Sequence, residues 1–251
     1  MSEHPTAEPS APDLAAVRER LVLALDVDDD VAADRLAQDL RPWFATVKVG
    51  LELFCAAGPD IVPELIDDGF KVFLDLKLAD IPTTVGRAAR VLGALGVSYL
   101  TIHASGGLAP LRAGVEGLGE GAARAGLPVP SALAVTVLSS DADAGLDVLG
   151  QRLEYALEAG CDGVVCGARH LAEVKRRASE LLAVVPGTRP AGVAGHDHAL
   201  LVTPADALAG GADLLVIGRA VTAAPDPAAA AEALVTELAV PGDAAPSREP
   251  Y

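Results

Sequence analysis

Short apolar runs that end in a polar residue alternate along this chain with longer stretches whose apolar positions recur every three or four residues. The first kind of pattern predicts buried strands and the second predicts amphipathic helices. Strands are expected over residues 20–27 (RLVLALDV), 44–50 (FATVKVG), 70–76 (FKVFLDL), 98–103 (SYLTIH), 131–138 (SALAVTVL), 162–166 (DGVVC), 181–185 (LLAVV) and 213–218 (DLLVIG). Helices are expected between them. The first runs over 30–40 with Asp30 as its cap, and the second over 51–68 with an interruption near Gly58 and Pro59. The others cover 81–95, 107–125, 146–159, 168–177, a stretch opened by Thr203 and Pro204, and 226–238. Pro82 suits a helix start, because its missing N–H costs nothing there. Gly160 is placed to terminate a helix, and Thr203 to cap one, with Pro204 at the first helical position and Asp206 in the first turn.

Strict alternation of eight strands with helices over this length is the arithmetic of a single-domain α/β protein, a (β/α)8 TIM barrel. A doubly wound open sheet is the alternative. The polar residues favour the barrel. Asp26, Lys48, Asp75, Lys77, His103, Ser139, Arg189 and Arg219 all fall at or just after the carboxyl end of an expected strand. A barrel gathers those ends into one mouth. The barrel domain is expected over 19–239. Residues 1–18 and 240–251, rich in Pro, Ala, Ser and Glu, read as disordered tails.

Composition sharpens this picture. Hydrophobic residues make up 51% of the 251 positions but aromatics only 3%, so the core has to be built from Val, Leu, Ile and Ala. That suits a parallel sheet covered by helices. A formal net charge of −16 argues against nucleic acid or an anionic membrane as partner, and an anionic small substrate would need a local cluster of Arg and Lys. The three cysteines, Cys55, Cys161 and Cys166, form no CxxC and read as small buried residues in a reducing cytosol. No signal peptide and no bilayer-length apolar run is evident. The expected location is cytoplasmic.

Candidate chemistry centres on residues 75–85, DLKLADIPTTV. Side chains two apart on a strand share a face, so Asp75 and Lys77 point one way while Leu74, Leu76 and Leu78 point the other. Asp80 follows where the strand gives out. The arrangement reads either as a surface ion cluster or as a functional site. Pro186-Gly187-Thr188-Arg189 and Gly218-Arg219 follow the seventh and eighth strands, the usual phosphate cradle of a barrel. His196 and His198 are two apart in a Gly-rich loop without an evident third ligand, so solvated histidines fit better than a metal site. His103 ends an apolar strand and reads equally as a satisfied buried histidine or a catalytic one. With no G-x-S-x-G elbow, Walker A sequence or dinucleotide fingerprint, a cofactor-free reaction without metal fits best.

The run DLKLADIPTTV resembles the signature of the orotidine 5′-phosphate decarboxylase family, Asp-x-Lys-x-x-Asp-Ile followed by Pro or Gly and a Thr. Further blocks lie in family order: LALDVDD around Asp26, KVGLELF from Lys48, HASGG from His103, VTVLSS, the PG-x-R stretch at Pro186, and VIGRAVT. The resemblance spans roughly residues 20–238. It implies a homodimeric barrel that converts orotidine 5′-phosphate to uridine 5′-phosphate and CO2 without metal or organic cofactor. By motif, Lys77 would deliver a proton to C6, and Asp75 would lie against the leaving carboxylate. Asp80, with Ile81 and Thr84, would come from the other subunit. Asp26 and Lys48 would hold ribose hydroxyls, and Ser139 the pyrimidine. Pro186, Arg189, Gly218 and Arg219 would face the phosphate. Where the family usually carries a Gln in the closing loop, this chain reads His198. A related barrel, the Mg2+-dependent keto-gulonate phosphate decarboxylase with its hexulose-phosphate synthase relatives, shares the third-strand pattern. A phosphate-binding barrel without catalysis is the non-enzyme alternative.

Overall fold

The computed structural model describes residues 14–138, 144–188 and 202–239. The elements, in chain order, are α1 (Leu14–Arg20), β1 (Leu21–Leu25), α2 (Asp30–Leu40), β2 (Thr46–Gly50), α3 (Leu51–Ala57), α4 (Ile61–Asp67), β3 (Lys71–Leu78), α5 (Pro82–Gly93) and β4 (Tyr99–His103). They continue with α6 (Leu108–Ala125), β5 (Ser131–Val135), α7 (Leu146–Ala159), β6 (Gly163–Val165), α8 (Leu171–Arg177), β7 (Leu182–Pro186), α9 (Pro204–Ala209), β8 (Leu214–Ile217), α10 (Arg219–Thr222) and α11 (Pro227–Ala239). All eight strands pair in parallel with their sequence neighbours, and β1 pairs with β8, so the sheet closes. This is the (β/α)8 barrel, and closure removes the open-sheet alternative.

Two apolar layers follow from strand alternation. One set of side chains, including Leu23, Val47, Leu74, Ile102, Val164 and Leu215, faces the helices. The other set fills the barrel interior with Val22, Ala24, Phe73, Leu133, Val135, Val165, Val184, Leu214 and Val216. The expectation of an aliphatic core holds. Among the few aromatics of the core, Phe73 and Tyr99 meet edge to face at 5.8 Å inside the barrel, and Phe44 is fully buried in the outer layer.

Several local expectations need correction. Asp29 rather than Asp30 caps α2, its carboxylate accepting from the Ala32 N–H at 2.6 Å. Asp29 keeps an extended backbone, φ −144° and ψ 131°, while Asp30 is already the first helical residue. Residues 14–18 belong to α1, inside the stretch read as a tail, and Val17 anchors them by being buried. Cys55 is exposed on α3, unlike Cys161 and Cys166, whose thiols burial pushes up to about 12. The interruption at Gly58 and Pro59 is real and separates α3 from α4, with Gly58 at φ 76°. Pro82, Gly160 and Thr203 take their expected terminal positions.

The amino ends of the strands carry bracing. Asp162, just before β6, accepts the Ala132 N–H at 2.8 Å, and Asp213, just before β8, accepts the Ala183 N–H and the Lys175 ammonium at 2.7 Å each. Each carboxylate thus ties its strand to a neighbour at the end remote from the mouth.

Candidate active site at the barrel mouth

The carboxyl ends of β1, β2 and β3 assemble a row of alternating charge. Lys48 lies 2.9 Å from Asp26 and 3.8 Å from Asp75, and Lys77 donates to both oxygens of Asp75 at 2.7 Å. The row runs from depth to surface. The side chains of Lys48 and Asp75 are 10% and 13% exposed, those of Lys77 and Asp26 32% and 58%. Burying an isolated ammonium or carboxylate costs several kcal/mol, so the two inner charges are tolerated because each has a close partner of opposite sign. Burial of Lys48 and Asp75 supports the functional reading of the row over that of a surface ion cluster.

Backbone irregularity aims this row. Leu74 pairs with Leu100 and Leu78 with Ile102, so Asp75, Leu76 and Lys77 of β3 together face Thr101 of β4. Lys77 sits in this bulge at φ 49°, the left-handed region, at a cost of about 1–2 kcal/mol for a residue with a side chain. Bulges beside active sites re-aim side chains. Here the strand continues to Leu78, two residues beyond the apolar run, while Lys77 still meets Asp75.

Close approach matters at Gly50. A Cβ there would stand 3.2 Å from Lys48 Nζ and 3.7 Å from Asp26 Oδ1, so the missing side chain leaves room for that pair. Neither Gly50 nor Thr101 was singled out by motif. Thr101 occupies an inward position of YLTIH, but its contacts depend on the bulge in another strand.

The remaining candidates are distributed around the mouth. Asp80, Ile81 and Thr84 are exposed just after β3, and the Asp80 carboxylate accepts from the Ile81 N–H at 2.6 Å. Within this one chain no ion pair joins Asp80 to Lys77 or Lys48 among the described residues. Pro186 ends β7, followed by Gly187 at φ 78° and the buried Thr188. Gly218 follows β8 beside Ala24 and Asp26, and Arg219 opens α10 with an exposed side chain. Ser139, Arg189, His196 and His198 lie outside the described residues. His103 Nδ1 meets the Ser105 N–H at 3.2 Å and its hydroxyl at 2.7 Å, capping the 3-10 turn after β4. That contact favours the satisfied reading over the catalytic one.

A closed parallel barrel whose strand ends present alternating ammonium and carboxylate groups defines a class: a single-domain (β/α)8 enzyme fold with a charged mouth. The profile of the orotidine 5′-phosphate decarboxylase / HUMPS family matches residues 19–234, and the chain belongs to that family. An orotidine 5′-phosphate decarboxylase of Moorella thermoacetica is 45% identical over 233 residues, covering 88% of this chain and 92% of that protein. One from Nitratidesulfovibrio vulgaris is 46% identical over 230 residues, covering 87% and 97%. Among solved structures, the decarboxylase of Lactobacillus acidophilus superposes with a TM-score of 0.72 at 34% identity over 87% of this chain and 98% of that one. That of Pyrococcus horikoshii gives 0.71 at 26% identity, covering 87% and 98%.

Proposed function

We propose that this chain decarboxylates orotidine 5′-phosphate to uridine 5′-phosphate and CO2, the last step of de novo pyrimidine synthesis. The observation that carries the reading is the Asp26–Lys48–Asp75–Lys77 row, with Lys77 at the mouth and 2.7 Å from Asp75. Losing CO2 from C6 of the pyrimidine leaves a carbanion with no conventional electron sink. A fixed ammonium beside that carbon stabilises the charge as it develops and then supplies the proton. In this reading Lys77 is that ammonium, and Asp75 lies against the departing carboxylate. Asp26 and Lys48 hold the ribose hydroxyls, and Lys48 also keeps the row neutralised at depth. Ser139 hydrogen-bonds the pyrimidine. Pro186, Arg189, His198, Gly218 and Arg219 form the phosphate end. The distant phosphate supplies binding energy that can be used at the reacting carbon.

Asp80, Ile81 and Thr84 are assigned to the neighbouring subunit's site in a homodimer. Their exposure just beyond β3, outside this chain's own charged row, supports that assignment. The free thiols of Cys55, Cys161 and Cys166 suit the cytoplasm. The reaction needs no metal or organic cofactor in this scheme.

The test is loss of the orotidine 5′-phosphate absorbance in EDTA, with native protein beside Lys77→Ala. Native turnover is expected to survive the chelator, and the variant to lose about 10²–10⁴-fold. Silence toward the nucleotide, with Mg2+-dependent activity on a sugar phosphate, would transfer the chain to the keto-gulonate phosphate branch. Binding without turnover in either assay would leave a phosphate-ligand barrel.

A further inference from the structure

The bulge in β3 has to be held in shape by something other than the sheet ladder, because three residues there face one. Thr101 is that one residue. It is fully buried, and its single hydroxyl makes two hydrogen bonds to the active-site strand. The oxygen accepts the Lys77 backbone N–H at 2.9 Å and donates its proton to Asp75 Oδ1 at 3.0 Å. One hydroxyl thus fixes the backbone of the residue that carries the ammonium and the carboxylate that the ammonium pairs with.

We infer that Thr101 is a positioning residue for Lys77 and Asp75. The direction of the hydrogen bonds carries the argument. A hydroxyl that accepts from the Lys77 N–H has its own proton free to point elsewhere, and the structure points it at Asp75. Asp75 then has defined partners on both oxygens, with Lys77 on each and Thr101 on one. The Lys77 N–H, which the bulge removes from the regular ladder, is satisfied while its residue stays at φ 49°. Without the hydroxyl, the partly buried Lys77 N–H would lose its partner, and Asp75 Oδ1 would keep only the Lys77 ammonium. The cheapest relief is a shift of the Lys77 backbone toward the ordinary strand region. Such a shift carries the ammonium away from Asp75 and from the reacting carbon. Valine has nearly the shape of threonine but can make neither bond, and serine can make both.

The kinetic arm of the test rests on the decarboxylase reading, and a second arm does not. In steady-state assays with orotidine 5′-phosphate, Thr101→Val is expected to lower kcat about 10²-fold, the order expected when a catalytic group is displaced by about 1 Å. KM should change no more than a few-fold, since the ribose and phosphate contacts lie elsewhere. Thr101→Ser should keep kcat within a few-fold of native. Independently of activity, hydrogen exchange at the Lys77 amide, read by NMR, should be slow in the native protein and in Thr101→Ser, and markedly faster in Thr101→Val. The inference is overturned if Thr101→Val keeps native kcat or native Lys77 exchange. It is overturned equally if Thr101→Ser falls as far as Thr101→Val, which would make the threonine methyl and not its hydroxyl the important group. A native protein inactive on the nucleotide would end the substrate assignment, and the exchange arm would still decide the positioning role.

Discussion

Lys48 shows how few atoms separate a working site from a filled one. Its ammonium lies 2.9 Å from Asp26, and the space beside both is kept open by Gly50, where an added Cβ would come within 3.2 Å of Nζ. Gly50 has an extended backbone, φ −87° and ψ −179°, which alanine adopts without strain. Gly50→Ala should therefore fold with little loss of stability while pushing the ammonium by a few tenths of an ångström. We expect kcat/KM for orotidine 5′-phosphate to fall about 10-fold, smaller than the effect of a 1 Å misplacement. Native activity in a well-folded Gly50→Ala protein would show that the Lys48 position is not critical. At this scale the motif was legible and its supports were not. Asp75 and Lys77 lie two apart in a strand-like run, so their shared face could be read directly. Gly50 and Thr101 acquire meaning only from side chains on other strands. Asp29 teaches the same lesson for helices: three consecutive aspartates, Asp28 to Asp30, share a residue type that suits a cap, and only the folded backbone shows that Asp29 accepts from the Ala32 N–H.

Among the elements, α5 and α6 pack unusually closely. Built Cβ atoms at Gly93, Gly117 and Gly121 would fall inside van der Waals contact of the carbonyl oxygens of Leu118, Gly86 and Arg90 respectively. Each of these glycines is there for backbone approach, and the helix-lowering propensity of glycine is the accepted cost. In Gly121→Ala the helix gains about 1 kcal/mol of propensity and loses about 1–3 kcal/mol to overpacking. The carbonyl it meets is backbone and cannot rotate away, so overpacking wins. Urea unfolding should show a lower midpoint with an unchanged slope, and a raised midpoint would mean that the helices separate freely. Because α5 begins at Pro82, directly after Asp80 and Ile81, this packing also sets where the exposed segment beyond β3 projects. Glycines in a helical pattern could be read as tolerated. Which helix they admit could not, since α5 and α6 meet through a fold-wide arrangement.

At the scale of the whole molecule, three exposed apolar side chains lie on the mouth side of the barrel. Val31 lies in the first turn of α2, Leu51 opens α3 and Ile81 precedes α5, at 60%, 56% and 66% exposure, all beyond the carboxyl ends of β1 to β3. Ile81 directly follows Asp80 and lies three residues before Thr84. Exposed apolar side chains on this side of the barrel are consistent with the proposed homodimer. Sedimentation equilibrium is expected to give twice the chain mass, and activity per chain should fall on dilution below the dissociation range. A monomer with full activity would remove Asp80 and Thr84 from the shared-site scheme.

The sequence by itself determined the alternation of strands and helices, the aliphatic core, and the polar residues waiting at strand ends. These are properties of period and residue type, and a period survives without knowledge of neighbours. Only the tertiary structure decided that the sheet closes and that β3 bulges opposite Thr101. It also decided that Lys48 sits deep while Lys77 reaches the mouth, and which glycines let helices touch. Each of those outcomes depends on the register between segments far apart in the chain, where a displacement of one residue turns every inward side chain outward.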